Sequence, residues 1–292
     1  MSAEKEGHTM QQASGFINLN KPSGVSSAAM VSKIKRLTGV ACGHMGTLDP
    51  MASGVLPVAV GNSSRLFNYL LNKEKIYRAV FRFGQETDTL DALGTVLCEG
   101  KKIPTQEEIN DKLQFFVGEI EQLPPAYSAK SVNGVRAYQL ARQGKPVLLQ
   151  AKKVYIRSVV LTRRVLEDSF EFVISCGGGT YIRSLGRDIA KACGTVATMT
   201  SLVREKSGVF TLDGACTIEE LTAENWRERL IPPDRVFEMP AVDFDGEQAR
   251  KLKNGLGVEY PVPGEYMLYL DDEFYGIARA EEGILRAKVK LV

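Results

Sequence analysis

Histidine is scarce in this chain, and cysteine occurs without pattern. There are two histidines, His8 and His44, and five cysteines, Cys42, Cys98, Cys176, Cys193 and Cys216, with no Cys-x-x-Cys pair among them. Two histidines cannot build a His-rich zinc motif. Cys42-x-His44 offers two ligands, but no second pair stands at ligand spacing, so no metal site is expected. An odd number of widely spread thiols fits reduced cysteines in a cytosolic protein rather than a disulfide framework. No run approaches the roughly 18 apolar residues of a membrane-spanning helix. Residues 1–14 are polar, lack the apolar core of a signal peptide, and read as a flexible tail.

Acidic residues are missing from two long stretches. None occurs between Gly7 and Leu48, where Lys21, Lys33, Lys35 and Arg36 stand. None occurs between Ala126 and Leu166, a stretch that holds Lys130, Arg136, Arg142, Lys145, Lys152, Lys153, Arg157, Arg163 and Arg164. From Asp213 to Glu247 the balance inverts, with ten acidic residues against Arg227, Arg229 and Arg235. The formal net charge is only +2, so the total says little about partners. A basic middle and an acidic later segment suit a polyanion-binding face on a near-neutral protein, or else charges that merely solvate helix and strand faces.

The length allows one large domain and a small one, and the 44% hydrophobic and 25% charged fractions are those of an ordinary globular chain. Phe16–Leu19 reads as a strand and Lys21-Pro22-Ser23-Gly24 as a turn. Ser26 or Ser27 can cap a helix carrying Met30, Ile34 and Leu37 and ended by Gly39. Val55–Val60 is an apolar run expected to be buried. Ser63 or Ser64 opens a second helix. Lys75–Phe83 alternates as a strand, with Tyr77, Ala79, Phe81 and Phe83 on one face, where Tyr77 can equally be a core tyrosine. Gly84–Gly94 is a polar loop with Asp88 and Asp91, and Thr105-x-x-Glu108 is a capping box opening a helix through Phe116. Asn133-Gly134 signals a turn, Ala137–Arg142 a short helix, and Tyr155–Leu161 and Phe170–Ser175 two strands. Gly177–Thr180 forms a glycine-rich turn into a helix that runs to about Lys191. Amides at such a start suit anions, but no Gly-Lys-Ser/Thr closes the motif, which argues against nucleotide binding. Pro232-Pro233 marks a hinge region. Beyond it Tyr266–Leu270, Phe274–Ala278 and Ile284–Val289 read as a small β domain.

The stretch around which these elements can be arranged is Gly43-His44-Met45-Gly46-Thr47-Leu48-Asp49-Pro50. Asp49 is the first carboxylate after the N-terminal tail, and Pro50 pushes it out of the α region. It is either a carboxylate displayed on a rigid turn for chemistry or one that caps its own backbone.

Five ordered motifs decide between these. They are Lys21-Pro22-x-Gly24-x-Ser26-Ser27; Gly43-His44-x-Gly46-x-Leu48-Asp49-Pro50-x-Ala52-x-Gly54-x-Leu56-Pro57; Lys75-x-Tyr77-Arg78; Gly179-Thr180-Tyr181-Ile182-Arg183; and Leu202-x-Arg204. In this order they resemble the TruB-type tRNA pseudouridine synthases, a family that isomerises uridine 55 of the T loop. The resemblance covers about residues 15–210. It implies an α+β fold: a catalytic domain on a mixed or largely antiparallel sheet over residues 15–237, and a small β-rich module over 238–292 that resembles PUA-type RNA-binding modules.

The resemblance also implies roles. Asp49 becomes the catalytic carboxylate, acting on sugar or base or stabilising positive character at C1′. Arg183 pairs with it and supplies the counter-charge, though alone it can be a surface arginine of a first helical turn. Tyr77 stacks on the target base and helps remove the C5 proton. His44 fills the space left by the flipped uridine. Tyr181 and Leu202 join the substrate-binding set. His44 and Tyr181 each have a packing alternative. Lys21, Lys130, Arg136 and Arg142 are candidates for the RNA backbone on charge and position, or solvated surface charges. Breaking one glycosidic bond and making another involves no redox change and no net hydrolysis, so no cofactor or metal is expected. The implied partner is the tRNA T arm, with no obligatory protein partner, in the cytoplasm. The competing readings are a related synthase acting on another RNA, as in the guide-RNA-dependent branch of the superfamily, and a tRNA-binding or tRNA-folding chaperone.

Overall fold

The structure is a computed structural model in which residues 13–71, 73–127, 131–132, 135–136 and 149–291 are described. The chain opens with strand β1 (Gly15–Lys21) and helix α1 (Ser27–Thr38). Ser26 caps α1 by accepting from the Ala29 N–H, and Gly39 closes it in the left-handed region that glycine tolerates. Met30 and Ile34 turn its apolar stripe inward. Strands β2 (Cys42–His44) and β3 (Ser53–Val60) pair antiparallel and enclose the turn that holds Asp49. β3 is buried from Gly54 to Val60, as its unbroken apolar run demands. The second helix begins differently from the expectation: a 3-10 turn over Gly61–Leu66 precedes α2 (Phe67–Leu71). β4 (Lys75–Phe83) alternates as its sequence does, with Lys75, Tyr77, Ala79, Phe81 and Phe83 on the buried face.

Next come β5 (Glu86–Thr87), β6 (Val96–Cys98), and α3 (Gln106–Leu113) behind the expected capping box. β7 (Gly118–Gln122), β8 (Ser131–Val132), β9 (Val135–Arg136), β10 (Lys152–Leu166) and β11 (Ser169–Cys176) follow. The unit is completed by α4 (Ile182–Ala192), β12 (Ala197–Ser207) and β13 (Phe210–Thr211). The turn at 133–134 and the short helix over 137–142 expected from the sequence lie outside the described residues.

The main sheet runs β1-β3-β12-β4-β11-β10-β7, with β2 on β3 and β13 on β12. Every pair is antiparallel except β3–β12, where Val203 and Arg204 lie against Ser53 and Gly54. This parallel joint seats the strand that leaves the Asp49 turn beside the middle of the sheet. It needs Gly54, whose φ is +100° and where a Cβ would lie 2.3 Å from the Arg204 carbonyl oxygen. One sheet face carries the core, into which α1, α3 and α4 send Ile34, Ile109 and Ile189. Gly186 lets α4 settle onto β4, since a Cβ there would meet the Phe81 ring at 2.4 Å.

A second sheet, β14 (Ala241–Phe244), β16 (Gly264–Leu270), β17 (Glu273–Glu281), β18 (Ile284–Lys290) and β15 (Val258–Glu259) in that spatial order, includes all three strands expected late in the chain. It also holds a helix the sequence reading did not anticipate, α5 (Gly246–Lys253), with Ala249 and Leu252 buried. The region expected to be a hinge at Pro232-Pro233 is instead a packed 3-10 turn. Val236 and Phe237 are buried in one cluster with Phe16, Met45 and Leu70 from the first unit and Ile277 and Leu291 from the second. Asn62 and Arg65 donate to the Leu291 and Lys290 carbonyls at 2.8 and 2.7 Å. No helix among the described residues is long and apolar enough to cross a membrane.

Candidate active site

The Asp49 turn is held at several points by side chains from other elements. Ser27 at the start of α1 accepts from the Leu48 N–H and donates to the Leu48 carbonyl, both at 2.9 Å. Lys21 at the end of β1 donates to the carbonyls of Pro22, Val25 and Pro50 at 2.8, 2.6 and 3.2 Å. Arg204 on β12 donates to Val55 O at 2.7 Å and Gly46 O at 3.0 Å, with Thr47 O at 3.4 Å. The Gly24 N–H donates to Pro50 O, and the Ala52 N–H closes back on Asp49 O. Lys21, Gly24, Ser27 and Arg204 come from two of the sequence motifs, and all bear on the same few residues. The turn that presents Asp49 is therefore fixed before any substrate arrives.

Arg183, in the first turn of α4, reaches Asp49 with both limbs of its fork: Nε to Oδ2 at 2.9 Å and Nη2 to Oδ1 at 3.0 Å. Such a bidentate pair fixes the carboxylate plane as well as neutralising it. Nη2 also donates to Tyr127 O at 3.0 Å, and Nη1 to Thr89 O at 2.9 Å, with Asp91 Oδ2 at 3.4 Å. Three hydrogen bonds and two carboxylate contacts thus surround a group only 6% exposed, while the Asp49 side chain keeps 30% of its surface open. The Thr89–Asp91 loop is itself taut. Leu90 is buried at φ +61°, a conformation a branched side chain adopts only under constraint. Asp91 accepts from Thr89 Oγ1 at 2.7 Å and from the Leu93 N–H. The start of α4 is pinned by Gln122, whose amide donates to Tyr181 O and accepts from the Tyr181 N–H.

Asp49 opens onto a cavity of about 260 Å³ whose lining includes Arg183, Tyr77, Tyr181, Leu202, Lys75 and Arg204. Four of the expected site residues, Arg183, Tyr77, Tyr181 and Leu202, thus converge on Asp49. Tyr77 and Leu202 are buried, and the Lys152 ammonium lies over the Tyr181 ring at 5.4 Å. Burial holds the Tyr77 phenol above its ordinary pKa, only partly offset by the Arg204 charge beside it. That suits a neutral aromatic platform and works against Tyr77 as a phenolate base. His44 sits on β2 outside the cavity lining. Its Nδ1 is buried without a hydrogen-bond partner among the described residues, and burial followed by the Arg204 charge lowers its pKa. The Cys176 thiol is pushed up to about 11 by burial and is inert. Among the described residues no three His, Cys, Asp or Glu side chains converge as a metal site.

Lys21 departs from the expectation. It was a candidate for the RNA backbone, yet it has no exposed surface and its ammonium is spent on three carbonyls. Lys21 braces the Asp49 turn and cannot reach a phosphate. Lys130 and Arg142 lie outside the described residues, and Arg136 is placed only as backbone in β9. Much of the rest of the basic run is paired: Lys153 with Glu119, Arg157 with Glu74, and Arg163 with Glu171. Asp91, Lys75 and Arg204 are further residues of this site that no sequence pattern marks as such. Lys75 and Arg204 stood in quoted motifs, whereas Asp91 showed only as an acid in a polar loop.

A family model described as TruB family pseudouridylate synthase (N terminal domain) matches residues 34–182. The chain is 36% identical over 287 residues to a Clostridium tetani protein named tRNA pseudouridine synthase B, covering 94% of this chain and 99% of that one. It is 41% identical over 250 residues to a Synechocystis protein of the same name, covering 82% and 84%. Among solved structures, a Cbf5-Nop10-Gar1 complex matches with a TM-score of 0.69 at 25% identity, over 91% of this chain and 78% of the other. An archaeal box H/ACA Nop10-Cbf5 complex has the same fold, with a TM-score of 0.70 at 22% identity over 95% and 86%. The family model and the nearly full-length relatives make this chain a pseudouridine synthase, on the sheet described above. The chain belongs to the TruB family of pseudouridylate synthases.

Proposed function

We propose that the protein isomerises the T-loop uridine of tRNA, position 55, to pseudouridine after flipping it out of the loop, with Asp49 as the reacting carboxylate. The observation that carries this reading is the Asp49–Arg183 fork at the mouth of a cavity lined by Tyr77 and Leu202. In it the uracil stacks on Tyr77, Leu202 packs beside it, Tyr181 bounds the pocket, and Arg183 holds the Asp49 carboxylate towards the sugar. His44, next to the turn and neutral, takes the place the uridine leaves. Lys130, Arg136 and Arg142 are proposed contacts to the RNA backbone, which would position the T arm without reading its sequence. Curated relatives named as tRNA pseudouridine synthase B, matched nearly end to end, support tRNA as substrate. They also favour action without a protein partner, although the structural neighbours are complexes. The reaction needs no cofactor. We assign 15–237 as the catalytic domain, onto which Ala13 and Ser14 also pack, and 238–292 as a PUA-like RNA-binding module, and place the protein in the cytoplasm with its substrate.

The test is pseudouridine mapping on an unmodified tRNA transcript incubated with the protein alone. Conversion at the T-loop uridine is expected. Binding without conversion would favour the chaperone or partner-dependent reading, and conversion elsewhere would reassign the substrate.

A further inference from the structure

Two cations in the cavity are not used by the Asp49–Arg183 pair. Lys75 and Arg204 both line it, at 5% and 1% exposure. Lys75 Nζ donates to Leu71 O at 2.7 Å and Lys73 O at 3.2 Å, and Arg204 donates to the carbonyls of Val55, Gly46 and Thr47 and also interacts with the Tyr77 hydroxyl. Among the described residues neither has a carboxylate within ion-pair distance; the acids of this site, Asp49 and Asp91, are both engaged by Arg183. Lys75 lies two residues before Tyr77 on the same face of β4, and Arg204 opposes Tyr77 directly across the β4–β12 ladder. The two converge over Gly46, where a Cβ would stand 3.7 Å from Arg204 Nη1 and 3.8 Å from Lys75 Cε. Buried charge is ordinarily paired or excluded, because carbonyl dipoles replace lost hydration only in part. Desolvation, and then Arg204, bring the Lys75 pKa down to about 8. An ammonium has three donors and a guanidinium five, so both retain protons beyond those the carbonyls accept.

The reaction proposed above creates an anion at this place. The C1′–N1 bond breaks and its electron pair leaves with the base, so the detached uracil carries negative charge over N1 and its two carbonyl oxygens. C5 then bonds C1′, the C5 proton departs, N1 acquires a proton, and the composition is unchanged. We propose that Lys75 and Arg204 form an anion-stabilising site for the uracil ring while it is detached from the sugar. The site acts on the base, whereas Asp49 and Arg183 act at the sugar. It rests on the isomerase reading and deepens it. Because the charge exists only between the two bonds, the site accelerates the chemical step and adds little to tRNA binding.

The test compares wild type with Lys75→Met and Lys75→Arg in single-turnover pseudouridine formation and in tRNA dissociation constant, from pH 6.5 to 9.5. The groups about Lys75 are Arg204, Tyr77, the Cys176 thiol held at about 11, and Glu74, which is paired with Arg157 and Lys206; Lys21, which braces the Asp49 turn, also sits at about 8 but is unchanged in both Lys75 variants, so their pH profiles separate its titration from that of Lys75. The expected result is a rate loss of about 100-fold for Lys75→Met, as for removal of one oxyanion donor, with the dissociation constant within about threefold. The wild-type rate falls as pH rises through about 8, and Lys75→Arg removes that fall. If Lys75→Arg does not fold by circular dichroism, the wild-type pH profile against that of Lys75→Met decides. Wild-type turnover with an undiminished Lys75→Met rate overturns the anion site alone, and so does a binding loss that accounts for the whole rate loss. A wild type that makes no pseudouridine on any tRNA overturns the reaction itself, and the anion site with it.

Discussion

Replacing Arg183 by lysine keeps the positive charge and removes the fork. The guanidinium spreads its contacts over four partners, Asp49, Tyr127 O, Thr89 O and Asp91. An ammonium is a point charge that cannot span all of these partners, so about two of the charge-assisted contacts are lost, each worth about 1.5–3 kcal/mol. Asp91, buried at 5% exposure, is also left short of a partner. The protein is expected to lose about 3 kcal/mol, read as a lowered urea midpoint at unchanged slope. Asp49, held by one contact instead of two, is free to rotate out of line with the sugar. The single-turnover rate is expected to fall at least about 100-fold, about 2.7 kcal/mol of barrier. The tRNA dissociation constant should change by less than about threefold, because the pair acts on one atom of the substrate. Wild-type stability together with a wild-type rate in Arg183→Lys would refute the argument that the fork, rather than charge alone, sets the carboxylate.

Three further outcomes follow from the same geometry. Gly186→Ala places a methyl carbon 2.4 Å from the Phe81 ring, so α4 must lift; a loss of about 1–3 kcal/mol is expected by urea titration, with slowed chemistry because Arg183 rides on that helix. Lys21→Met leaves the carbonyls of Pro22, Val25 and Pro50 without their donor; stability and single-turnover rate should fall while the salt dependence of tRNA binding keeps its slope, since Lys21 touches no phosphate. Lys21 and Lys75, both lowered to about 8 in the folded state, release protons there before the unfolded chain does. Between pH 8 and about 10 the unfolded state binds more protons, so their contribution to stability rises with pH, and a series of urea midpoints for wild type against Lys75→Met isolates the Lys75 share.

The sequence was most legible where one local rule governed the structure. The alternation of Lys75–Phe83, the Ser26 and Gly39 caps of α1 and the capping box at Thr105 all appear at the expected places. β12, which carries Leu202 and Arg204 through the middle of the sheet, showed no strand signal. Its pairing with β4 slips between Met199 and Ser201 and again between Arg204 and Lys206, so no period of two survives along it. Lys21 was misread because a charged side chain reads as surface, and nothing local reveals that three carbonyls from the following turns surround its ammonium. Arg183 and Tyr77 were singled out by likeness to a family and not by pattern. The groups that fix Arg183 come from Thr89, Asp91 and Tyr127, which only the fold brings together.

The most direct measurement is pseudouridine formation by Asp49→Asn, which keeps the size of the side chain and removes its charge. In single turnover on unmodified tRNA, alongside the dissociation constant, the account predicts that binding is retained and no pseudouridine forms at the T-loop position. Pseudouridine formation at the wild-type rate by Asp49→Asn would contradict it.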